Sequence, residues 1–318
     1  MQALKPKISI IGCGNVGMRY AYALVIKGLA RQIVLIDRDT NKAEGEAMDL
    51  AHGAPFVSPV EIYAGGYTDI ADSDIVAVTA GAKQKPGQTR VDLVKDNAEI
   101  FRHIIPDIVK YAPGAIILVV SNPVDVLSYI AYRLSGKPAG KVIGSGTVLD
   151  SARFRFELAN HCRIDPRNIH AYILGEHGDS EFPVWSRAMI GGMLFEDHCL
   201  ICANHATCDH TAELENIFRD VRDSAYRIIE KKGETSYGIG LAAARITQAI
   251  LHDENSILPV SSLVQDYFGV NDIYLSIPAV VNRGGVREIL KVGLNGKEEK
   301  ALKDSAASIK KVIELAGF

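Results

Sequence analysis

The sequence predicts an α/β protein, with a doubly wound parallel sheet in its first half and an α+β second half. Short apolar runs alternate with helical patterns through residues 1–145, and these runs end in Gly, Ser or Asn. Strands that alternate with helices pair in parallel, and the ligands of such sheets collect at the carboxyl ends of the strands. With 318 residues, 47% of them hydrophobic, the chain can form one large domain or two packed ones.

The elements of the first half follow from the periodicity of the apolar residues. Asp39 is a suitable N-cap for the second helix because its carboxylate can accept from free backbone N–H groups. We expect strands at 8–11, 33–36, 60–64, 74–79, 115–120 and 142–143, and helices at 18–26, 39–52 and 91–110. All the strands expected for the parallel sheet lie before residue 145. We therefore place the domain boundary near residue 145, with domains at 1–145 and 146–318.

The second half mixes strands and helices without regular alternation. Apolar residues recur at helical spacing through 212–232, and Gly233 stops that pattern. The expected elements are helices at 148–160, 212–232, 236–252 and 297–316, and strands at 169–174 and 273–281.

Composition excludes several classes of protein. The formal net charge of -3 argues against a nucleic-acid binder, which usually carries a basic patch. No apolar run approaches the length of a membrane span, and the N-terminus lacks the apolar region of a signal peptide. Five cysteines without an obvious disulfide framework suit a reducing compartment. We therefore expect a cytoplasmic protein with small-molecule or protein partners.

A glycine-rich loop follows the first predicted strand. Gly12, Gly14 and Gly17 stand between that strand and a helix, and the second strand ends at Asp37. This is the Rossmann arrangement for a dinucleotide: the glycines permit a tight turn, approach of the pyrophosphate and close packing of helix on strand. Asp37 would bind the ribose hydroxyls and favours NAD, although Arg38 leaves NADP open. The alternative is a tight turn that binds nothing.

One histidine stands at the end of an apolar run. His177 lies between Gly175 and Gly178, just after the strand expected at 169–174. An imidazole can take or give a proton near neutral pH, which suits general acid–base catalysis. A histidine that only occupies a turn is the alternative.

Asp150 and Arg153 lie three positions apart on a predicted helix, so they share one face. The carboxylate could orient His177, and the guanidinium could hold a substrate carboxylate through two hydrogen bonds. A surface ion pair is the alternative, and the spacing does not decide between them. Arg155 points about 200° away from Arg153 on the same helix, so it belongs to another surface. On one extended strand His170 would likewise face away from His177.

The segment 81–90 has the composition of a mobile lid between a strand and a long helix, and Arg90 could close with it.

Five segments together closely resemble the L-lactate dehydrogenase family, specifically its bacterial members, over essentially the whole chain. They are 11–17 (IGCGNVG), 84–90 (QKPGQTR), 121–125 (SNPVD), 148–156 (VLDSARFRF) and 175–181 (GEHGDSE).

The resemblance implies a role for each candidate residue. His177 would be the proton donor and acceptor, Asp150 its partner, and Arg153 the group that holds the substrate carboxylate. Arg90 would polarise the substrate carbonyl, with Asn122 and Thr235 in the substrate pocket. The residues implied for NAD are Gly12, Gly14, Val16, Gly17, Asp37, Lys42, Tyr67, Gly81, Ala82, Val120, Asn122 and Ser145.

Gln84 separates two substrates. Related malate dehydrogenases carry an arginine here, which pairs with a second substrate carboxylate that would otherwise be buried without a partner. A neutral Gln84 predicts pyruvate and L-lactate, in fermentative glycolysis, over oxaloacetate and malate. Malate or another 2-hydroxy acid stays the alternative, as does a catalytically silent NAD-binding protein of the same fold.

The resemblance also implies regulation. Positions matching Arg155 and His170 bind fructose 1,6-bisphosphate between subunits of a homotetramer in similar bacterial enzymes. Cationic or ionisable side chains at an interface suit a phosphate group. The alternative is that the pair is present and the sugar phosphate has little effect.

A cluster of cysteine and histidine residues has no counterpart in the family. Its ligand types make a zinc site conceivable, but the resemblance supplies no such site, and we predict no bound metal. The cluster comprises His198, Cys199, Cys202, His205, Cys208 and His210.

Overall fold

A computed structural model describes residues 6–82, 90–197 and 210–318, with only the helical backbone for 90–91 and 210–211. The first half alternates strands and helices as predicted. Its elements are β1 (Lys7–Ile11), α1 (Asn15–Lys27), β2 (Gln32–Ile36), α2 (Thr40–His52), β3 (Glu61–Ala64), β4 (Ile75–Val78), α3 (Arg90–Tyr111), β5 (Ile116–Val119), α4 (Val124–Ser135) and β6 (Val142–Gly144).

The second half contains longer strands and helices together with several two-residue strands. Its elements are α5 (Val148–Cys162), β7 (Ile169–His170), β8 (Ile173–Leu174), β9 (Phe182–Pro183), β10 (Met189–Ile190), β11 (Met193–Leu194), α6 (His210–Lys232), α7 (Tyr237–Leu251), β12 (Ser256–Val264), β13 (Ile273–Asn282), β14 (Gly285–Ile289) and α8 (Gly296–Leu315).

The main sheet runs in the order β3-β2-β1-β4-β5-β6-β12-β13-β14. All pairs from β3 to β6 are parallel, which confirms the predicted Rossmann-like sheet. The last three strands extend the same sheet in antiparallel pairs, beginning where Ser261 pairs with Gly144. One sheet therefore spans the expected boundary at residue 145, and the boundary itself stays a prediction.

Side chains that alternate along the parallel strands build a core on each face of the sheet. In β4, Val76 and Val78 join a core that includes residues of α3, α4 and α8. Ile75 and Ala77 point the other way, into a core with α1, α2 and α7. A third core around Phe154 joins α5 and α6 to the small strands.

The expectation of one continuous strand over 169–174 is wrong. β7 pairs with β10, whereas β8 pairs with β9 in a different small sheet. The break falls at Ala171 and Tyr172, because the chain leaves one sheet to enter another. Strand alternation therefore does not decide which way His170 and His177 face.

Candidate active site

Three of the predicted residues meet through one carboxylate. Oδ2 of Asp150 lies 2.6 Å from Nδ1 of His177, and Oδ1 of Asp150 accepts a 2.9 Å hydrogen bond from Nη1 of Arg153. The Asp150 side chain is only 3% exposed, while 23% of the His177 side chain and 16% of the Arg153 side chain are exposed. The arrangement is a buried carboxylate with an imidazole and a guanidinium at the edge of solvent.

The first turn of α5 holds Asp150 in place. The buried Oγ1 of Thr147 donates to the carbonyl of Ile173 at 2.6 Å. Oγ of Ser151 accepts from the N–H of Ile173 at 2.9 Å and lies 3.3 Å from its carbonyl oxygen. These contacts join α5 to β8, so the carboxylate and the segment that follows β8 are fixed relative to each other.

The segment that carries His177 is anchored on three sides. Gly175, at a φ of +96°, exchanges backbone hydrogen bonds of 3.0 and 2.9 Å with Ser276 of β13. A side chain at residue 175 would collide with Ser305 of α8, which accepts a 2.7 Å bond from the N–H of Glu176. The N–H of His177 donates to Asp125 at 2.7 Å. The imidazole therefore projects from a rigid turn.

Asp125 is a site residue to which the sequence analysis assigned no role. It lies in the first turn of α4, is buried, and accepts from the hydroxyls of Ser261 and Ser276 at 2.6 and 3.1 Å. Burial raises its pKa to about 6, against the lowering effect of its bonds with Ser261 and His177. The signal that was available in the sequence is the single acidic residue in a mostly apolar helix, placed in its first turn just after Pro123.

The charges favour a protonated His177. Burial lowers its pKa, but the Asp150 carboxylate opposes this by its charge and its hydrogen bond, and the pKa rises to about 9. Burial likewise raises the pKa of Asp150, and the attraction of His177 and Arg153 outweighs this, so the Asp150 pKa falls below its usual range. The pair is thus an imidazolium–carboxylate pair at neutral pH, able to release one proton.

Glu181 is the second residue that sequence reasoning missed. It is 6% exposed. One of its carboxylate oxygens, a nitrogen of His177 and an oxygen of Asp150 all lie within 4.8 Å of one another. Although three such ligands could hold a metal, the 2.6 Å separation of Asp150 from Nδ1 is that of a hydrogen bond. Its place in the GEHGDSE segment was visible, but its burial was not.

The glycine loop has one open position. A Cβ at Gly12, where φ is +111°, would lie 2.5 Å from the backbone N of Ala80, and a Cβ at Gly17 would lie 2.1 Å from the carbonyl oxygen of Gly12. Both glycines are therefore required by the packing of the chain on itself. A Cβ at Gly14, the N-cap of α1, would have no other atom within 4 Å, and no side chain caps the helix there. This open helix start suits a phosphate group.

Asp37 lies directly against this loop. Its carboxylate accepts from the N–H of Cys13 at 2.7 Å and from the N–H of Asp39 at 3.1 Å. Asp39 caps α2 as predicted, by accepting from the N–H of Lys42, whose side chain is exposed. The acid at the end of β2 and the free start of α1 are therefore neighbours, as a dinucleotide requires.

The other residues expected at the cofactor lie along the same edge of the sheet. The buried Asn97 of α3 accepts from the N–H of Ala82 at 2.6 Å and donates to the carbonyl of Asn122 at 2.9 Å, so it joins two of the loops. Gly81 lies against Asn97 as well. Val16, Val120 and Ser145 follow the ends of β1, β5 and β6, and Tyr67 is half-buried in a turn after β3.

Some predicted residues cannot be placed at the site. Gln84, the side chain of Arg90 and the Cys/His cluster lie outside the described residues, apart from the backbone of His210 at the start of α6. Thr235 is half-buried between α6 and α7, and Gly238 in the first turn of α7 lies against Leu149 of α5. Arg155 has a different partner from Arg153: its Nε donates to the carbonyl of Ser151 within α5. His170 is exposed on β7.

Comparison with known proteins accounts for nearly the whole chain. The model of the lactate/malate dehydrogenase NAD-binding domain matches residues 6–144, and that of the lactate/malate dehydrogenase α/β C-terminal domain matches residues 147–317. An L-lactate dehydrogenase of Thermoanaerobacter pseudethanolicus is 53% identical over 97% of this chain and 98% of its own. One from Priestia megaterium is 48% identical over 98% of this chain and 96% of its own.

Solved structures agree with these matches. A lactate dehydrogenase from a Medee basin deep-sea metagenome library has a TM-score of 0.94, 46% identity and 99% coverage of both chains. The minor L-lactate dehydrogenase of Enterococcus mundtii has a TM-score of 0.93, 41% identity and 98% coverage of both chains.

Among the described helices, none combines the length and the apolar character needed to cross a membrane. The chain belongs to the lactate/malate dehydrogenase family and is an NAD-dependent oxidoreductase.

Proposed function

We propose that the protein is an L-lactate dehydrogenase, which interconverts pyruvate and L-lactate with His177 as the proton donor and acceptor. The observation that carries this proposal is the single buried carboxylate of Asp150 shared between His177 and Arg153. One group supplies a proton and the other an anchor for a carboxylate, which together match the two ends of a 2-oxo acid.

Each residue then has a role in the reaction. When bound, NADH supplies a hydride to the carbonyl carbon of pyruvate. Nδ1 of His177 is engaged by Asp150, so the imidazole can give the proton to the developing alkoxide only from Nε2. Nη1 of Arg153 is held by Asp150, and its remaining N–H groups bind the substrate carboxylate. Arg90 closes over the carbonyl and stabilises its negative charge, with Asn122 and Thr235 beside it.

The test is NADH oxidation, measured with pyruvate and with oxaloacetate. We expect a higher kcat/KM for pyruvate, because a second carboxylate would meet the neutral Gln84. Gln84→Arg should shift the preference toward oxaloacetate by at least about tenfold, since it supplies the missing partner for that charge. Gln84→Met is the matched control: it fills the position without a charge and should gain no oxaloacetate activity. A wild-type preference for oxaloacetate would overturn the assignment in favour of malate.

We further propose a homotetramer activated by fructose 1,6-bisphosphate at Arg155 and His170. Helix α1 packs against α7 and lines one groove together with α2. These helices expose large apolar side chains, namely Tyr22, Ile26, Met48, Tyr237 and Leu241. Large apolar side chains exposed on neighbouring helices favour association with a second copy of the chain. The half-buried Arg155 and the exposed His170 are separate from the Asp150 pair, as an effector pair should be.

Pyruvate saturation curves at increasing fructose 1,6-bisphosphate test the effector. Activation in the wild type that is lost in Arg155→Gln, but kept in the surface variant Arg167→Gln, supports the assignment. A sigmoidal curve that fructose 1,6-bisphosphate leaves unchanged counts against it.

A wild-type protein that binds NADH but never oxidises it would instead indicate a silent NAD-binding protein. The cytoplasmic location stays a prediction.

A further inference from the structure

Glu181 is a buried acid that the reaction described above does not use. It follows the turn of His177 and precedes β9, and its side chain points into the protein rather than to solvent. One of its carboxylate oxygens lies within 4.8 Å of both Asp150 and His177. Two carboxyl groups therefore flank one imidazole.

The charged neighbours of Glu181 come from three elements. Asp150 and Arg153 face it from α5, Arg222 faces it from α6, and His177 faces it from the turn before β9. Nη1 of Arg153 is already paired with Asp150. Within the described part of the chain, no hydrogen bond to the Glu181 carboxyl is found, so burial and these four charges govern its ionisation.

We propose that Glu181 is a positioning residue for the proton of His177: as pH rises, its carboxyl ionises and keeps the neighbouring imidazole protonated, which extends pyruvate reduction into the alkaline range. The inference rests on the proposed function, because it assigns to His177 the proton that pyruvate receives.

The electrostatics give the direction of this effect. Burial, and next the charge of Asp150, raise the pKa of Glu181 to about 8. Near neutral pH the Glu181 carboxyl is therefore uncharged, and the carboxylates that act on the imidazole are Asp150 and, more weakly, Asp125 of α4. Above that pH Glu181 adds a second negative charge beside a poorly solvated imidazolium, and Glu181 is among the groups that raise the pKa of His177.

The kinetic test is the pH profile of kcat/KM for pyruvate. In Glu181→Gln the alkaline limb should move to lower pH by about one unit, so the rate at high pH falls by about tenfold while the rate near pH 6 changes little. Glu181→Asp keeps a carboxyl and should retain most of the wild-type profile. The control is Glu215→Gln, which removes an exposed carboxylate from α6 and should leave the whole profile unchanged.

A second measurement does not depend on turnover. The imidazole of His177 can be titrated by NMR with ¹³C-labelled histidine, using His177→Asn to assign its signal. In the wild type the titration should show two coupled steps, and in Glu181→Gln a single step at lower pH. If Glu181→Gln does not fold, the wild-type titration alone decides.

The outcomes separate the two claims. An NMR titration of His177 that is simple in the wild type, or unchanged by Glu181→Gln, overturns the inference even if pyruvate is reduced. A rate lost equally at all pH values in Glu181→Gln indicates a purely structural role and also overturns it. Failure of the wild type to reduce pyruvate overturns the proposed function, while a shifted His177 titration would still establish the coupling.

Discussion

Replacing Asp150 with Asn removes the charge that keeps His177 protonated, while it preserves the size of the side chain. The ordinary imidazole pKa of 6.5 rises to about 9 in this site although burial acts to lower it. That difference corresponds to about 3 kcal/mol of preference for the imidazolium, and the combined attraction of Asp150, Glu181 and Asp125, of which Asp150 contributes most, must exceed this to overcome burial. Without the Asp150 carboxylate, burial is opposed only by the weaker effects of Glu181 and Asp125, so we expect the pKa of His177 to fall to about its ordinary value of 6.5 or below it.

The expected loss follows from the protonated fraction of His177. At about pH 7.5 the wild-type imidazole is almost entirely protonated, whereas in Asp150→Asn less than about a tenth would be. kcat/KM for pyruvate should therefore fall by at least about tenfold at that pH and recover in part toward about pH 5.5, where the imidazole is again protonated. Asparagine offers one acceptor oxygen where Asp150 uses two, so loss of either the bond that orients the ring or the Arg153 contact will add to this at every pH.

The assay is NADH oxidation by the variant from acid to alkaline pH, with Asp165→Asn as the control. Asp165 pairs with Arg167 on the surface, so its loss should not move the profile. An alkaline limb that stays in place in Asp150→Asn would refute the argument that Asp150 sets the proton affinity of His177.

Two further substitutions test how the site is held. Asp125→Asn leaves one acceptor oxygen, where the two oxygens of Asp125 bind His177 and the serines of β12 and β13. We therefore expect kcat/KM for pyruvate to fall by about tenfold and the alkaline limb of its pH profile to move to lower pH. A variant with the wild-type profile would show that Asp125 has no influence on the imidazole. Gly17→Ala places a methyl group 2.1 Å from the carbonyl of Gly12, so it should lower the free energy of unfolding by about 1–3 kcal/mol and weaken NADH binding, as measured by thermal unfolding and fluorescence titration. Gly45→Ala, at an exposed helical position with open space around it, should be neutral or stabilising, and equal effects of the two substitutions would contradict the packing argument.

Much of the first half of the fold was predictable because its signals are local. Buried parallel strands are short apolar runs, the helices between them are periodic, and the loop from Gly12 to Gly17 with Asp37 needs only short-range spacing. The antiparallel extension β12–β14 was not predicted as part of this sheet, since pairing of Ser261 with Gly144 joins residues far apart in sequence. The break between β7 and β8 was missed for the same reason: each strand is defined by its partner strand and not by its own residues.

The identity of the catalytic candidates was likewise a property of the sequence, where spacing and resemblance pointed to His177, Asp150 and Arg153. Only the tertiary structure decided how they interact. One carboxylate serves both partners, and two further buried acids, Asp125 and Glu181, adjust the proton affinity of the imidazole. The physical reason is that a local pattern specifies which residue types are present, whereas burial and the distances between charges arise only when α4, α5 and β13 pack around the turn of His177.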